Sequence, residues 1–246
     1  MNNFNKRLLT IKEAANYLGV TTTTLRRWHN EGTFPASFVS PGGHRYYALT
    51  DLEKKIKGLF QLASEWAAAT NPTIPEEEQY CSTSDRFRTR LAHMMQAMEA
   101  HSSDKNVIAL VATAAGEIGN NSFDHNLGNW PDIPGVFFAY DIGKRQIVLA
   151  DRGVGILTTL RHARAHLKTH EEALHMAFTE RVTGRAPEHR GNGLKYAHAA
   201  LTRANASLRF QSGNATVEIQ KENPELIFKQ AEQPIRGCLA LITYSL

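Results

Sequence analysis

Residues 117–126, "EIGNNSFDHN", combine two carboxylates, three amides and a histidine in ten positions. The residues just before them are mostly apolar, and those of 107–114 recur at helical spacing. This pattern predicts one helix from about residue 104 to residue 126. The polar stretch is therefore the C-terminal half of a helix that begins apolar.

Glu117, Asn121 and Asp124 are spaced four and three residues apart. On a helix this spacing places all three side chains on one face, about one turn from each other. Two carboxylates and an amide that continue a buried stripe need partners when they are buried. A magnesium ion with nucleotide phosphates would supply those partners.

Two further stretches contain glycines, which allow the backbone to come close to a ligand. "GVFFAYDIGKRQIVLADRGVGI", residues 135–156, predicts strands over 136–140 and 146–150, followed by a loop with two glycines. "RGNGLKYAHAAL", residues 190–201, places two glycines directly before an apolar helix. Backbone N–H groups at a glycine-rich helix start favour an anion.

These three elements, in this order, resemble the GHKL ATPase fold of histidine kinases, type II topoisomerases, MutL and anti-sigma serine kinases, over residues 84–246. The resemblance implies that Asn121 is the magnesium ligand and that Asp151 accepts the adenine amino group. It implies nucleotide contacts for Asp124 on the helix, for the loop residues Gly153, Gly155 and Ile156, and for Gly191, Gly193 and Leu194 at the later helix start.

Glu117 lies where hydrolytic members of that fold keep a general base, so the resemblance allows ATP hydrolysis. In the lid region, Arg181, Arg185 and Arg190 either meet the phosphates on closing or belong to a solvated basic loop. Many family members have Gly-Thr before the last strand, whereas this chain has Gly237 and Cys238, which removes a hydroxyl.

The net charge of +4 is confined to residues 1–69, which carry nine basic and five acidic residues against 19 of each afterwards. A basic first segment suggests a nucleic-acid partner. "TIKEAANYLG" and "VTTTTLRRWHNEG" predict two short capped helices joined by a turn, which is a helix-turn-helix.

The pattern "LLTIKEAANYLGVTTTTLRRWHNEGTFP…PGGHRYY…DLE" resembles the MerR-like and excisionase-like winged helix-turn-helix over residues 7–57. The second helix presents hydroxyls and guanidinium groups to a major groove, and the wing contacts the DNA backbone. The predicted DNA contacts are Thr22, Thr23, Thr24, Arg26 and Arg27 of the helix, and His44, Arg45 and Tyr46 of the wing.

Residues 51–69 form an apolar stripe at helical spacing, which either pairs two subunits or packs on the chain's own body. The expected division is therefore residues 1–69 as the DNA-binding domain with its following helix, 70–83 as a linker and 84–246 as the ATP-binding domain. The fold class is α+β, with the second domain a GHKL-type α/β sandwich whose mixed sheet is covered by helices on one face.

Two cysteines exclude a disulfide framework and a four-thiolate zinc site. Without a signal-peptide pattern or an apolar run of about 18 residues, we expect a cytoplasmic protein with no membrane partner. The expected cofactors are ATP and Mg²⁺, and the expected partner is double-stranded DNA. A homodimer and a protein partner are left open.

The leading hypothesis is a DNA-binding regulator controlled by the nucleotide state of its second domain. The alternatives are an anti-sigma-like serine kinase or ATPase tethered to DNA, and a degenerate ATPase fold used as an interaction surface. The histidines at 162, 166 and 170 fit a solvated helix face better than a metal site, and His93 fits an ordinary helical residue better than a phosphoacceptor. His125 either caps its helix or contacts the nucleotide.

Overall fold

The computed structural model describes residues 7–180 and 193–246, apart from the side chains of residues 53, 54, 56 and 57. The N-terminal unit contains β1 (Leu8–Thr10), α1 (Ile11–Leu18), α2 (Thr22–Asn30), β2 (Phe38–Val39), β3 (Arg45–Ala48) and α3 (Leu49–Ala68). The remainder contains a short 3-10 helix (Glu77–Gln79), β4 (Tyr80–Cys81), α4 (Ser84–Glu99), α5 (Lys105–Asn126), β5 (Val136–Asp141), β6 (Gln146–Asp151), α6 (Gly155–Arg161), α7 (His170–Thr179), α8 (Gly193–Arg203), β7 (Ser207–Ser212), β8 (Ala215–Gln220), β9 (Asn223–Gln230) and β10 (Cys238–Thr243).

The predicted helix-turn-helix forms as expected. Thr10 caps α1 in a capping box with Glu13, and Gly19 ends the helix in the left-handed conformation at φ 66°. Thr21 caps α2 through a hydrogen bond that its hydroxyl accepts from the Thr24 backbone N–H. Leu25 and Trp28 pack α2 into a small core that also contains Leu9, Ala14, Ala15, Leu18, Tyr47 and Leu52.

The wing is a three-stranded sheet in the order β1-β3-β2, with both pairings antiparallel. Its turn is closed by a hydrogen bond from the Ser40 N–H to the His44 carbonyl. Tyr47 is fully buried and donates its hydroxyl to the Leu25 carbonyl, so the wing is held against α2.

The larger sheet has seven strands in the order β4-β5-β6-β10-β7-β8-β9. All its observed pairings are antiparallel, so the expectation of a mixed sheet was wrong. The local cause is that β5–β6 and β7–β8 are hairpins, and β10 enters between them antiparallel to both neighbours. Helices α4, α5 and α8 share a core with one face of this sheet.

The expectation of helices on only one face was also incomplete. Ala63, Trp66 and Ala67 of α3 are buried against Phe137, Ala139, Val148, Ala150 and Leu239 on the opposite face. At these three residues the apolar stripe of α3 packs on this chain's own body, which is one of the two alternatives left by the sequence. Leu52, nearer the start of α3, belongs instead to the helix-turn-helix core.

The predicted linker contains structure of its own. Glu77–Gln79 forms the short 3-10 helix, and β4 adds to the edge of the large sheet by pairing Tyr80 with Phe137 and Cys81 with Val136. The end of this segment, Tyr80–Cys81, is therefore an edge strand of the large sheet.

The three histidines of the lid region do not share one helix face. Helix α6 ends at Arg161 and α7 begins at His170, so residues 162–169 interrupt the helix on which their alignment depended. Within the described part of the chain, no cluster of three or more His, Cys, Asp or Glu side chains is arranged to hold a metal. Nor does any described helix have the length and apolarity that a membrane crossing requires.

Asp141, at the end of β5, is fully buried, and its Oδ1 accepts a hydrogen bond of 3.1 Å from the Lys144 N–H. Burial raises its pKa from 3.8 to about 6, against the opposing effects of the Lys144 and Gly143 N–H groups. The native state then holds a proton that the unfolded state has lost, so its free energy of unfolding falls as pH rises from 3.8 to about 6.

We expect Asp141→Asn to remove this pH dependence. Relative to the wild type, the variant should gain about 2 kcal/mol of stability at pH 7 compared with pH 4. Urea unfolding of both proteins at the two pH values measures the difference. Asp85→Asn, at an exposed position, is the control. If the free energies of unfolding of the wild type and of Asp141→Asn change with pH in parallel, Asp141 is not the source of the pH dependence.

Candidate functional site

A cavity that is partly open to solvent lies among α5, α6, α8 and the ends of β6 and β10. Six residues from the three stretches predicted to hold a nucleotide line it together: Asn121, Asp151, Gly155, Ile156, Gly193 and Leu194. They are up to 73 positions apart along the chain, and the fold brings them to one place.

Asp151 is the last residue of β6 and is only 2% exposed. Its Oδ2 accepts a hydrogen bond from the Ser122 hydroxyl at 2.8 Å, and its Oδ1 accepts one from the Gly153 N–H at 2.8 Å. Burial raises the pKa of Asp151, and these hydrogen bonds oppose that rise. The carboxyl group is thus held rigidly at the cavity wall.

Gly153 does not line the cavity; it packs against Asn126 and donates its N–H to Asp151. A methyl group on Gly153 would come within 2.1 Å of Asn126 Nδ2, so only glycine fits. Asn126 accepts a hydrogen bond of 2.8 Å from the Val154 N–H and donates one of 2.7 Å to the Ser122 carbonyl. The amide therefore fixes the loop after β6 onto α5.

Ser122 and Asn126 were missed in the sequence, although a signal for them exists. They follow Ile118 at intervals of four, which continues the buried face of α5 rather than the neighbouring face that carries Glu117 and Asn121. Polar residues in phase with a buried stripe require partners, and these two side chains find theirs around Asp151.

The start of α8 packs against the other predicted polar face. A methyl group on Gly193 would lie 2.8 Å from both Asn121 Nδ2 and Glu117 Oε2, so the three residues are in close contact. Burial, with a smaller effect of the Asp124 carboxylate, raises the pKa of Glu117. Asp124 itself is exposed and does not line the cavity, because it lies at the solvent side of the same helix face.

Cys238 lines the cavity next to Asp151, and Ser212 holds the adjacent start of α6. The Ser212 hydroxyl accepts a hydrogen bond from the Ile156 N–H at 3.0 Å and donates one to the Gly237 carbonyl at 3.1 Å. Cys238 pairs with Asp151 across β6 and β10. Burial and the nearby Asp151 carboxylate raise the pKa of the Cys238 thiol well above its usual value, so this thiol is neutral at pH 7.

His125 lines the cavity and also an adjoining groove with Trp130 and His162. Both of its proposed roles, helix cap and nucleotide contact, are compatible with this position. His93 is exposed on α4, which fits an ordinary surface residue. Arg181, Arg185, Arg190 and Gly191 lie outside the described residues.

Arg152 is a site residue that the sequence did not predict. It is 1% exposed, and its guanidinium donates to the carbonyls of Ala67 at 3.0 Å and Ala69 at 2.8 Å, and also to that of Trp66. The same group forms an ion pair of 2.7 Å with Asp132. The loop that carries Asp151 and Gly153 is thereby attached to the C-terminal end of α3.

A second, basic cleft lies between α1, α2 and the wing. Four predicted DNA contacts, Arg26, His44, Arg45 and Tyr46, line it together. Arg26 donates to the Thr22 hydroxyl at 3.4 Å, and Arg45 donates to Asn30 Oδ1 at 3.4 Å. Thr23 is exposed on the adjacent turn of α2. Helix and wing thus present one continuous polar surface.

Thr24 does not belong to that surface. It is only 3% exposed, and its hydroxyl donates to Glu78 Oε1 at 2.7 Å. Thr24 differs from Thr23 and Arg26 because of its place on the helix. It lies beside the face that buries Leu25 and Trp28, and not on the exposed face. Its prediction as a DNA contact was therefore wrong.

We expect Arg26→Ala to weaken DNA binding through a lost phosphate contact. The slope of log K against log salt should become less steep by about one, as for one phosphate contact. A salt titration with a labelled duplex measures this change. Arg88→Ala is the matched control, since Arg88 is exposed on α4 with its partner Asp85 at 3.5 Å. An unchanged slope in Arg26→Ala would place the phosphate contact elsewhere.

Residues 8–58 match a family model described as a helix-turn-helix domain. A comparison with curated proteins gave no match. The chain therefore has an N-terminal helix-turn-helix domain, and this domain suggests DNA binding.

Proposed function

We propose that this protein is a DNA-binding regulator in which a MerR-like or excisionase-like winged helix-turn-helix is coupled to an ATP-binding domain of the GHKL type. The first domain is assigned to residues 1–69 and the second to residues 84–246, with 70–83 between them. The observation that carries the proposal is the single cavity lined by Asn121, Asp151 and Gly193, which come from three separate sequence stretches.

Asp151 fits the role of adenine acceptor. The carboxylate already accepts hydrogen bonds from the Ser122 hydroxyl and from the Gly153 and Cys238 N–H groups, which leaves one of its four lone pairs for an amino group. The cavity wall beside it is apolar at Ile118, Ile156 and Phe210, which suits a planar base.

The Asn121 end of the cavity fits a phosphate-bound magnesium ion. Proteins hold Mg²⁺ through one or two carboxylates together with the phosphates of the substrate. The Asn121 amide oxygen, in close contact with Gly193, would supply the protein ligand there, and phosphate and water oxygens would supply the others. The backbone at the start of α8 favours negative charge.

Coupling between the two domains is supported by Arg152. Its neighbours Asp151 and Gly153 belong to the proposed nucleotide site, whereas its guanidinium holds the end of α3. Helix α3 continues without interruption to the winged domain, where Leu52 is part of the core. A nucleotide that shifts this loop would move α3 and change how the recognition helix α2 is presented.

The test is a selection of fragments from genomic DNA by the purified protein, in parallel with and without Mg-ATP at one fixed salt concentration. We expect Mg-ATP to change which fragments are retained or how tightly they bind. Asp151→Asn is the control and should show the same retention under both conditions. Equal retention by the wild type, together with measured ATP binding, would reject the coupling while leaving both binding activities.

A second candidate function is ATP hydrolysis, with Glu117 as the general base. A raised pKa brings a carboxylate closer to the value that suits a base at neutral pH, and burial together with Asp124 raises the pKa of Glu117. In this reaction Glu117 would take a proton from water as the water oxygen attacks the terminal phosphorus of ATP. The bond from that phosphorus to the bridging oxygen breaks, and ADP leaves. Phosphate release by the wild type distinguishes this candidate from a regulator that only binds ATP.

A further inference from the structure

The recognition helix is already in contact with carboxylates of this chain. Arg27 Nη2 lies 2.8 Å from Glu76 Oε2 and 3.4 Å from Glu78 Oε2. Glu78 also accepts the hydrogen bond of 2.7 Å from the Thr24 hydroxyl. We refer to Glu76 and Glu78 together as the acidic clasp.

The clasp is attached firmly to the body. Glu78 is in the short 3-10 helix that leads directly into β4, and β4 pairs with β5 at the edge of the large sheet. Arg90 of α4 donates to the Glu78 carbonyl and, at 3.0 Å, to the Phe138 carbonyl of β5. The carboxylates therefore have a fixed backbone position beside α2.

Only one of the two neighbouring arginines of α2 is held in this way. Arg26 faces the cleft of the wing, whereas Arg27, about 100° farther round the helix, faces the clasp. The Arg27 side chain is 41% exposed and that of Glu76 is 56% exposed, so their ion pair lies at the border of the predicted DNA surface. A DNA backbone approaching α2 would meet an arginine that is already neutralised and a carboxylate that repels it.

We propose that the acidic clasp is an intramolecular competitor of DNA, which keeps Arg27 from phosphate and lowers the affinity of the helix-turn-helix for any duplex. The proposal rests on DNA binding by the helix-turn-helix, and it requires no nucleotide. The carboxylates of Glu76 and Glu78 occupy the guanidinium that a phosphate would otherwise take. Release of the clasp adds one phosphate contact to the complex.

The experiment is a salt titration of a mixed-sequence duplex of about 20 base pairs, long enough for one helical turn of about 10 base pairs on each side of the contact. It uses the full chain without nucleotide. The variant is Glu76→Gln with Glu78→Gln, which keeps side-chain size and the ability to accept from Thr24. Glu77→Gln is the matched control, because Glu77 is in the same segment but pairs with Arg86 at 2.7 Å.

We expect the double variant to bind the duplex about tenfold more tightly near 0.1 M salt and its slope of log K against log salt to be steeper by about one. Adding Arg27→Ala to the double variant should remove both changes, whereas Arg27→Ala alone should have little effect. This dependence on Arg27 separates competition for one guanidinium from a general reduction of negative charge.

A gain of equal size in Glu77→Gln, or a gain that persists with Arg27→Ala, would overturn the proposal. Tighter binding by the wild type than by the double variant would also overturn it, since the clasp would then position Arg27 for DNA. Arg26→Ala distinguishes failure of the clasp from failure of DNA binding itself. If Arg26→Ala weakens binding while the double variant binds as the wild type does, the clasp is rejected and DNA binding by the helix-turn-helix stands. If neither the wild type nor any variant binds the duplex, both are rejected.

Discussion

Asp151→Asn is expected to lower the affinity for Mg-ATP by at least about 100-fold, which corresponds to a loss of about 3 kcal/mol for a charged hydrogen-bond acceptor in a buried site. The native carboxylate accepts from Ser122 and from the Gly153 N–H at once. An asparagine replaces one acceptor oxygen with an NH₂ group. In either orientation of the amide, this NH₂ group faces a hydrogen-bond donor, the Ser122 hydroxyl or the Gly153 N–H. The adenine amino group then competes for the single oxygen that remains.

Titration calorimetry with Mg-ATP measures this loss. Asp85→Asn is the matched control, since it makes the same change on an exposed carboxylate of α4 outside the cavity. Thermal unfolding of Asp151→Asn without nucleotide verifies that the fold is kept. If this variant binds Mg-ATP as tightly as the wild type, Asp151 has no role in base recognition and the interaction-surface alternative gains support.

Arg152→Ala is expected to destabilise the protein by about 3 to 5 kcal/mol, which is typical for breaking a buried ion pair from one side. The variant removes the donor shared by the carbonyls of Ala67 and Ala69 and the Asp132 carboxylate, of which Ala67 keeps the Arg236 N–H and Asp132 keeps the Arg236 guanidinium. Buried acceptors that lose their partner cost free energy because water cannot replace it.

Urea unfolding of the wild type and Arg152→Ala at pH 7 measures the change. Arg236→Ala provides a close comparison, since Arg236 contacts the same Asp132 carboxylate at 3.2 Å but is 49% exposed. Its loss should cost about 1 kcal/mol or less, as for an exposed ion pair. Similar losses in the two variants would mean that Arg152 contributes only through Asp132 and does not hold the end of α3.

Sequence periodicity predicted the elements whose signals are local. Thr10, Thr21 and Gly19 set the limits of α1 and α2 where the capping pattern placed them. The strands β5 and β6 and the long helix α5 lie within one residue of their predicted limits. In each case the residues that decide the element are neighbours in the chain.

Residues 207–220 also carry a local strand signal. Leu208 and Phe210 alternate with polar residues, as do Val217 and Ile219, on either side of a turn at Gly213 and Asn214, which is a hairpin pattern. Strands β7 and β8 therefore could have been predicted. Their contribution to the site, through Ser212 and Phe210, depends on β10 pairing with β7 and could not.

Other features depend on residues far apart in the chain. The apolar stripe of α3 was recognised, but its destination on the sheet is set by β5, β6 and β10 together. Arg152 appears in the sequence as a loop arginine, and only the end of α3, more than 80 residues earlier, makes it a buried partner. Contacts of this kind require the tertiary arrangement, which helical and strand periods do not contain.

The burial of α3 also bears on the symmetry of the DNA site. Two-fold dimers of helix-turn-helix proteins bind inverted half-sites about 10 base pairs apart, at a spacing that the pairing element fixes. Here Ala63, Trp66 and Ala67 are occupied by the chain's own sheet and do not form such an element. In the proposed DNA-binding function, Ala63, Trp66 and Ala67 therefore do not set the spacing between two half-sites.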